Sequence, residues 1–375
     1  MSRCFSISSI EKGSEKIGEI MLNGVKLSDL QEEVMFPTSE RNPIETAPSS
    51  VPKTLQMWLF VIENQRSIGQ NFFELAAHLG IAKTLGRVPD INSTSWFAMS
   101  SEIPSDYPFL APKFWLTNAE PSSAFSANLN TRYCCKYDDP QNLKSISEEQ
   151  LTIRGVYFRS FKYFEGIRSE IRNALTPSPS SSLRAELQLP EDYRKDFIIC
   201  VHTKQILEQG VVVHSKPSDP FFTRTATDFL VSKYKSKTDR VTVAILGNDP
   251  IWSHNLFYDR IGKSSYFGRV NNSEFIFPQN SPDYTALLTL GISTADDVAF
   301  SRHFCDVVLM TAPTSSFGWW LAYLAKDTAD IYYRDPSETS DQIFREMNPI
   351  DYYPHSWNKL QSSQLQIPLS QIPKN

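Results

Sequence analysis

The chain has 375 residues, 41% of them hydrophobic and 21% charged, which suits a globular protein able to bury one large or two medium cores. Its formal net charge of −5 gives no footing for a nucleic-acid partner or an anionic membrane surface. The apolar run Met57–Ile62 is far too short to span a bilayer and residues 1–20 lack the apolar core of a signal peptide, so a soluble chain with no visible anchor is expected.

Residues 1–54 are weakly periodic and read as a disordered or weakly ordered tail, with a Pro/Ser/Thr-rich linker over 36–53 and one short helix between Ile20 and Glu33. Order is expected from Leu55. Met57–Ile62 reads as a buried strand. A polar turn containing Gly69 and Asn71 follows and opens a helix, because Phe72, Leu75, Ala76 and Leu79 keep helical spacing up to a stop at Gly86. Val88–Ile91 then starts the next extended piece, which completes one βαβ half-unit. Residues 95–150 mix aromatics, prolines and turns and give no clear element. Leu151–Tyr157 reads as a strand and Glu165–Leu175 as a helix. The Pro/Ser-rich segment Thr176–Ser182 is the best interior boundary. It divides an N-terminal domain, 55–180, from a C-terminal domain, 181–360, with 361–375 as a tail.

The second half is more regular. Asp196–His202 is a strong buried strand, Thr223–Lys235 a helix, and Thr242–Gly247 a strand ending in an Asn-Asp turn. A short helix over Ser253–Tyr258, a strand over Glu274–Phe277 and helices over Ser281–Leu290 and Ser293–Phe304 follow. Val307–Met310 is an apolar run suited to a strand covered on both faces, and Ala329–Tyr333 is the next strand. Strands alternating with helices give a doubly wound α/β fold.

Three strand-end turns hold the polar residues that invite chemistry. Thr314, Ser315 and Ser316 are capping residues directly before a helix, and Gly318 permits close approach of another backbone or a ligand. Ligands of open parallel sheets sit at such helix starts, where N–H groups favour phosphate. From these residues alone a plain capped turn is the commoner reading. His202 ends a buried strand, Lys204 offers one positive charge, and Asn248-Asp249 forms another turn. Metal chemistry has little support. The six histidines and five cysteines show no ligand spacing, and no Asp-x-Asp triplet occurs. No dinucleotide or P-loop glycine motif and no nucleophile elbow is present. The odd cysteine count neither proves nor excludes disulfides. Sequons at Asn92 and Asn271 matter only on a secretory route.

Taken in order, Ile68–Ala77 with Gly80–Arg87, Phe158–Glu165, Ile199–Thr203, Val243–Trp252 and Ser316–Leu324 resemble the α-1,2-fucosyltransferases, glycosyltransferase family 11, in their nematode-type branch. The resemblance implies two Rossmann-like α/β domains of the GT-B type. It implies inverting, metal-independent transfer of fucose from GDP-fucose to a galactose-containing glycan, without a cofactor. The C-terminal domain would hold the GDP-sugar and the N-terminal domain the acceptor. Family members are Golgi membrane proteins and glycoproteins, so membrane association is implied in the same way. On this reading Lys204 contacts the diphosphate and His202 shapes its pocket. Ser315, Ser316 and Phe317 offer hydroxyls and backbone N–H groups, and Asn248 and Asp249 lie near the guanosine. No catalytic base is assigned. Where the family carries His-x-Arg-Arg-x-Asp, this chain has His202, Lys204, Gln205 and Leu207. One charge survives and bidentate phosphate contact does not. Three readings stand: an active transferase, a catalytically impaired relative acting as a glycan- or partner-binding module, or an unrelated α/β binding protein.

Overall fold

The structure is a computed structural model that describes residues 21–22, 25–26, 52–58, 67–98, 102–117, 125–129, 134–205, 216–261, 283–289 and 293–365. Met1–Pro43 forms a unit of its own, in which Met21–Leu22 and Val25–Lys26 pair as short antiparallel strands where one helix was expected. Ile44–Asn375 is the second unit and holds two parallel sheets.

The first sheet comprises β1 (Thr54–Met57), β2 (Val88–Asn92), β3 (Trp115–Thr117), β4 (Phe125–Asn128) and β5 (Gln150–Arg154), in the order β3-β2-β1-β5-β4. The second comprises β6 (Phe197–Thr203), β7 (Val241–Gly247), β8 (Thr285–Leu288), β9 (Val307–Met310), β10 (Asp330–Arg334) and β11 (Asn358–Leu360), in the order β8-β7-β6-β9-β10-β11. Every neighbouring pair in both sheets is parallel. The chain winds outward from β6 to β8, returns to the centre, and winds outward again from β9. The strand order therefore reverses between β6 and β9, and this is the switch point of a Rossmann-type sheet. The expected α/β architecture of two Rossmann-like halves is thus met.

Burial on both faces explains the apolar run of β6. Ile199 and Val201 face a core with Val307, Leu309 and helix α4 (Pro220–Lys235), whereas Cys200, Val308 and Met310 face the other way. That second face joins one continuous core with helix α1 (Ile68–Leu85) of the first half. Helix α7 (Ser316–Leu324) is the hinge pin of this core. Its Trp319 and Trp320 pack against Phe73 at ring-centre distances of 4.6 and 5.1 Å. Such aromatic pairs contribute beyond their buried area. A disulfide joins Cys200, inside β6, to Cys305, just beyond helix α6 (Thr294–Phe304), with Cα atoms 5.5 Å apart.

Several expectations change. Ser281–Leu290 is not helical in its described part. Thr285–Leu288 is strand β8, an apolar run too short for periodicity to separate strand from helix. Helix α2 (Arg168–Ala174) falls within the expected Glu165–Leu175 helix, and the Pro/Ser-rich segment at 176–182 begins helix α3 (Pro179–Gln188). Ser178 caps it, accepting from the Ser181 N–H at 3.3 Å, and Pro179 takes the first helical position. Helix α4 starts at Pro220, earlier than Thr223, because Asp219 accepts from the Phe222 N–H at 2.7 Å. β1 ends at Met57, the one residue it shares with the expected first strand, and residues 59–62 lie outside the described residues, as do Glu274–Phe277.

Candidate functional site

At the switch point the carboxyl ends of β6 and β9 lie side by side, with His202 in register with Met310. The turn after β9 is tied down along its length. The Thr311 hydroxyl lies 2.8 Å from the His202 carbonyl and 2.7 Å from the Ser218 hydroxyl. The Tyr353 hydroxyl donates to the Pro313 carbonyl at 2.9 Å, and the Thr314 hydroxyl donates to the Asp341 carboxylate. Ser315 caps helix α7, accepting from the Gly318 N–H at 3.2 Å. Ser316 has its hydroxyl 3.3 Å from that of Ser67, immediately before helix α1. All three of Thr314, Ser315 and Ser316 are buried. Their hydroxyls hold the turn in place.

Two glycines let this turn meet its neighbours. A Cβ on Gly69 would stand 2.5 Å from the Phe317 nitrogen and 2.6 Å from the Ser316 carbonyl carbon. A Cβ on Gly318 would stand 2.5 Å from His202 Nδ1. The first turns of α1 and α7 therefore pack directly on each other, with the Trp320 indole N–H donating to the Gly69 carbonyl at 2.9 Å. The positive ends of two helix dipoles meet here, the condition under which an anion is favoured. Gln70 and Asn71, in the first turn of α1, have buried side-chain oxygens without hydrogen-bond partners among the described residues.

His202 is 3% exposed, and its Nδ1 also lacks a partner among the described residues. Burial, followed by the nearby Lys204 charge, pushes its pKa down to about 3. It is therefore a neutral ring at physiological pH, set edge-on to Phe317 with centroids 6.3 Å apart.

The second wing of the site runs from Thr203 to Gln205. The Lys204 N–H donates to the Ser218 hydroxyl at 2.9 Å, and the Ser218 N–H returns to the Lys204 carbonyl at 2.8 Å. The Gln205 N–H donates to Asn248 Oδ1 at 2.7 Å, and the Gln205 amide donates to the Ser218 carbonyl at 2.8 Å. Asp249 caps helix α5 (Pro250–Phe257) by accepting from the Trp252 N–H at 2.9 Å. Asn248 thus positions the turn that carries Lys204, while Asp249 starts the adjoining helix.

The structure brings Gly69, His202, Ser316, Phe317 and Gly318 into direct contact, ties Lys204 and Gln205 together through Ser218, and holds Gln205 to Asn248. Leu207 and Asn271 lie outside the described residues. Asn92 is the half-buried last residue of β2, in register with Thr117. Sequence reasoning missed the braces Ser218, Thr311 and Asp341. Ser218-Asp219-Pro220 carries a helix-start signature that points to the first of them, whereas nothing local marks Thr311 or Asp341. Among the described residues no group of three or more His, Cys, Asp or Glu side chains could hold a metal ion. None of the described helices is long and apolar enough to cross a membrane.

A galactoside 2-α-L-fucosyltransferase of Caenorhabditis elegans is 41% identical over 349 residues, covering 92% of this chain and 86% of that protein. The putative galactoside 2-α-L-fucosyltransferase svh-11 of the same organism is 30% identical over 303 residues, covering 80% and 78% respectively. No protein-family model matches. Among solved structures, NodZ α-1,6-fucosyltransferase soaked with GDP-fucose aligns over 73% of this chain and 93% of that one, with 14% identity and a TM-score of 0.40. POFUT1 in complex with GDP aligns over 76% and 99%, with 10% identity and a TM-score of 0.40.

Proposed function

The chain belongs to the galactoside 2-α-L-fucosyltransferase family, and from that premise we propose that it transfers L-fucose from GDP-fucose to a hydroxyl of a galactose-containing glycan, with inversion and without a metal ion. The observation that carries the donor half of this reading is the meeting of two helix starts, at Gly69 and at Ser316–Phe317, over the switch point of the second sheet. That is the place where a parallel sheet offers backbone N–H groups to a diphosphate.

In the reaction the acceptor hydroxyl oxygen bonds to the anomeric carbon as the bond from that carbon to the diphosphate breaks. The electron pair passes to the diphosphate and the hydroxyl proton is released. The protein's task is to fix the donor and stabilise charge growing on the leaving group. Lys204 supplies one cation on a turn braced by Asn248 and Ser218. His202, neutral and packed on Gly318 and Phe317, shapes the floor of the pocket without exchanging protons. We assign the donor to residues 181–360 and the acceptor to 55–180.

Passage through the Golgi membrane system belongs to the same proposal. The Cys200–Cys305 disulfide suits an oxidising compartment. The binding-module alternative draws no support from the relatives, whose names are those of transferases. Incubation with GDP-fucose and a β-galactoside in excess chelator should yield a fucosylated product. Absence of product together with absence of GDP binding would overturn the reading.

A further inference from the structure

Arg334 is the last residue of β10 and stands at the carboxyl edge of the second sheet, the edge that carries the switch point. It is 4% exposed. Its guanidinium carbon lies 4.7 Å from the centre of the Phe222 ring, in the first turn of α4. Two carboxylates, those of Asp219 and Glu338, act on its charge without bonding to it. Both are engaged elsewhere. Asp219 accepts from the Phe222 N–H at 2.7 Å. Glu338 accepts from the Ser362 N–H at 3.0 Å to each oxygen, and from the Ser362 hydroxyl at 2.5 Å. Among the described residues Arg334 makes no hydrogen bond or ion pair, and its Nε is enclosed without an acceptor.

A guanidinium held rigidly and largely out of water is costly unless an acceptor or anion meets it. Stacking on Phe222 offsets only part of that cost. The position of the group narrows the choice of anion. Lys204 pairs its backbone with Ser218 in both directions, and Ser218 directly precedes Asp219. Lys204 and Arg334 thus approach one Ser218–Asp219 turn from two strands of the same sheet edge. Gln205, next to Lys204, is neutral and donates its amide to the Ser218 carbonyl.

We propose that Arg334 binds the diphosphate of the nucleotide-sugar donor, supplying from β10 a forked guanidinium contact beside the single ammonium of Lys204. The assignment rests on the donor reading above. A planar guanidinium meets two phosphate oxygens at once, which an ammonium at Lys204 does not.

The test compares GDP with guanosine, by calorimetric titration of the full chain and of Arg334→Met and Arg334→Lys. The wild-type protein should bind GDP far more tightly than guanosine. Arg334→Met should lower GDP affinity by roughly tenfold or more while guanosine affinity stays unchanged, since only the diphosphate contact is removed. Arg334→Lys, which keeps the stem and the charge, should fall between, and it carries the test if the methionine variant does not fold. A purely structural arginine would lower thermal stability and leave the GDP-to-guanosine ratio unmoved, which overturns the assignment. Wild-type protein that fails to bind GDP would overturn the donor reading itself.

Discussion

Helix α7 has nine residues, and its two ends are served by opposite chemistry. At the carboxyl end the helix is closed by charge. Arg172 donates to the Tyr323 and Ala325 carbonyls at 2.6 and 2.8 Å, and Arg302 donates to the Arg172 carbonyl at 2.8 Å. Asp327 accepts from Arg168 at 2.8 Å. A cavity of about 430 Å³ opens among these side chains. At the amino end the surroundings are of another kind. Buried hydroxyls, a neutral imidazole and the start of α1 close around the first turn. The guanidiniums at the carboxyl end already have carbonyl or carboxylate partners, as expected of cations capping a helix terminus. At the amino end the helix starts are positive and lie beside Gln70, Asn71 and His202 atoms without partners among the described residues. Positive helix starts beside unpartnered oxygens and a neutral ring nitrogen mark the proposed donor end, whereas the buried Tyr323 hydroxyl, also without a partner among the described residues, lies among cations at the carboxyl end.

The comparison is broken most forcefully at Arg172. Arg172→Met leaves the two carbonyls buried without donors and should cost roughly 3 kcal/mol in urea unfolding, with GDP affinity retained. A loss of GDP binding at unchanged stability would move the ligand to the cavity end.

Acid comes next. Burial first, and then the charge of Lys204, holds His202 at about 3; burial, partly opposed by the bond to the Leu55 carbonyl, holds His78 at about 4. Both pKa values lie below the unfolded value of about 6.5, so the unfolded chain takes up protons that the folded chain refuses. Their stabilising contribution is complete above pH ~6.5 and is lost as pH falls toward the folded values, by about 2 kcal/mol per histidine at pH 5. Unfolding curves at pH 7 and pH 5 check this, and His202→Gln should remove its share. Stability that is flat across this range would contradict the buried, neutral ring.

Gly69→Ala tests the contact between the two helix starts. The added methyl meets backbone at 2.5 Å and should cost about 2 kcal/mol. Transfer activity should fall with it, because the two N-termini are pushed apart. Ser315→Ala removes only the cap and should cost about 1 kcal/mol by thermal unfolding.

These features were unevenly visible in the sequence. β6 was legible because burial on both faces leaves an almost unbroken apolar run from Phe197 to Val201. β8 was misread because Thr285–Leu288 is equally a buried turn of helix until its parallel partner β7 is known. The glycines at 69 and 318 announced close approach, but which groups approach is a property of the folded chain. Ser315 and Ser316 were recognisable as capping residues, whereas the Ser67 hydroxyl facing Ser316 lies 249 positions away. Arg334 had no local signal at all. Its meaning comes from the strand order that places it on the edge carrying the switch point and from the carboxylates that bond elsewhere.

The central claim, that the donor binds at the amino end of α7 and not at the cavity end, is tested most directly by amide hydrogen exchange with and without GDP. Protection should appear at 202–205, 248–250 and 315–318 and be absent from 165–173 and 326–328. Protection confined to 165–173 and 326–328 would contradict it.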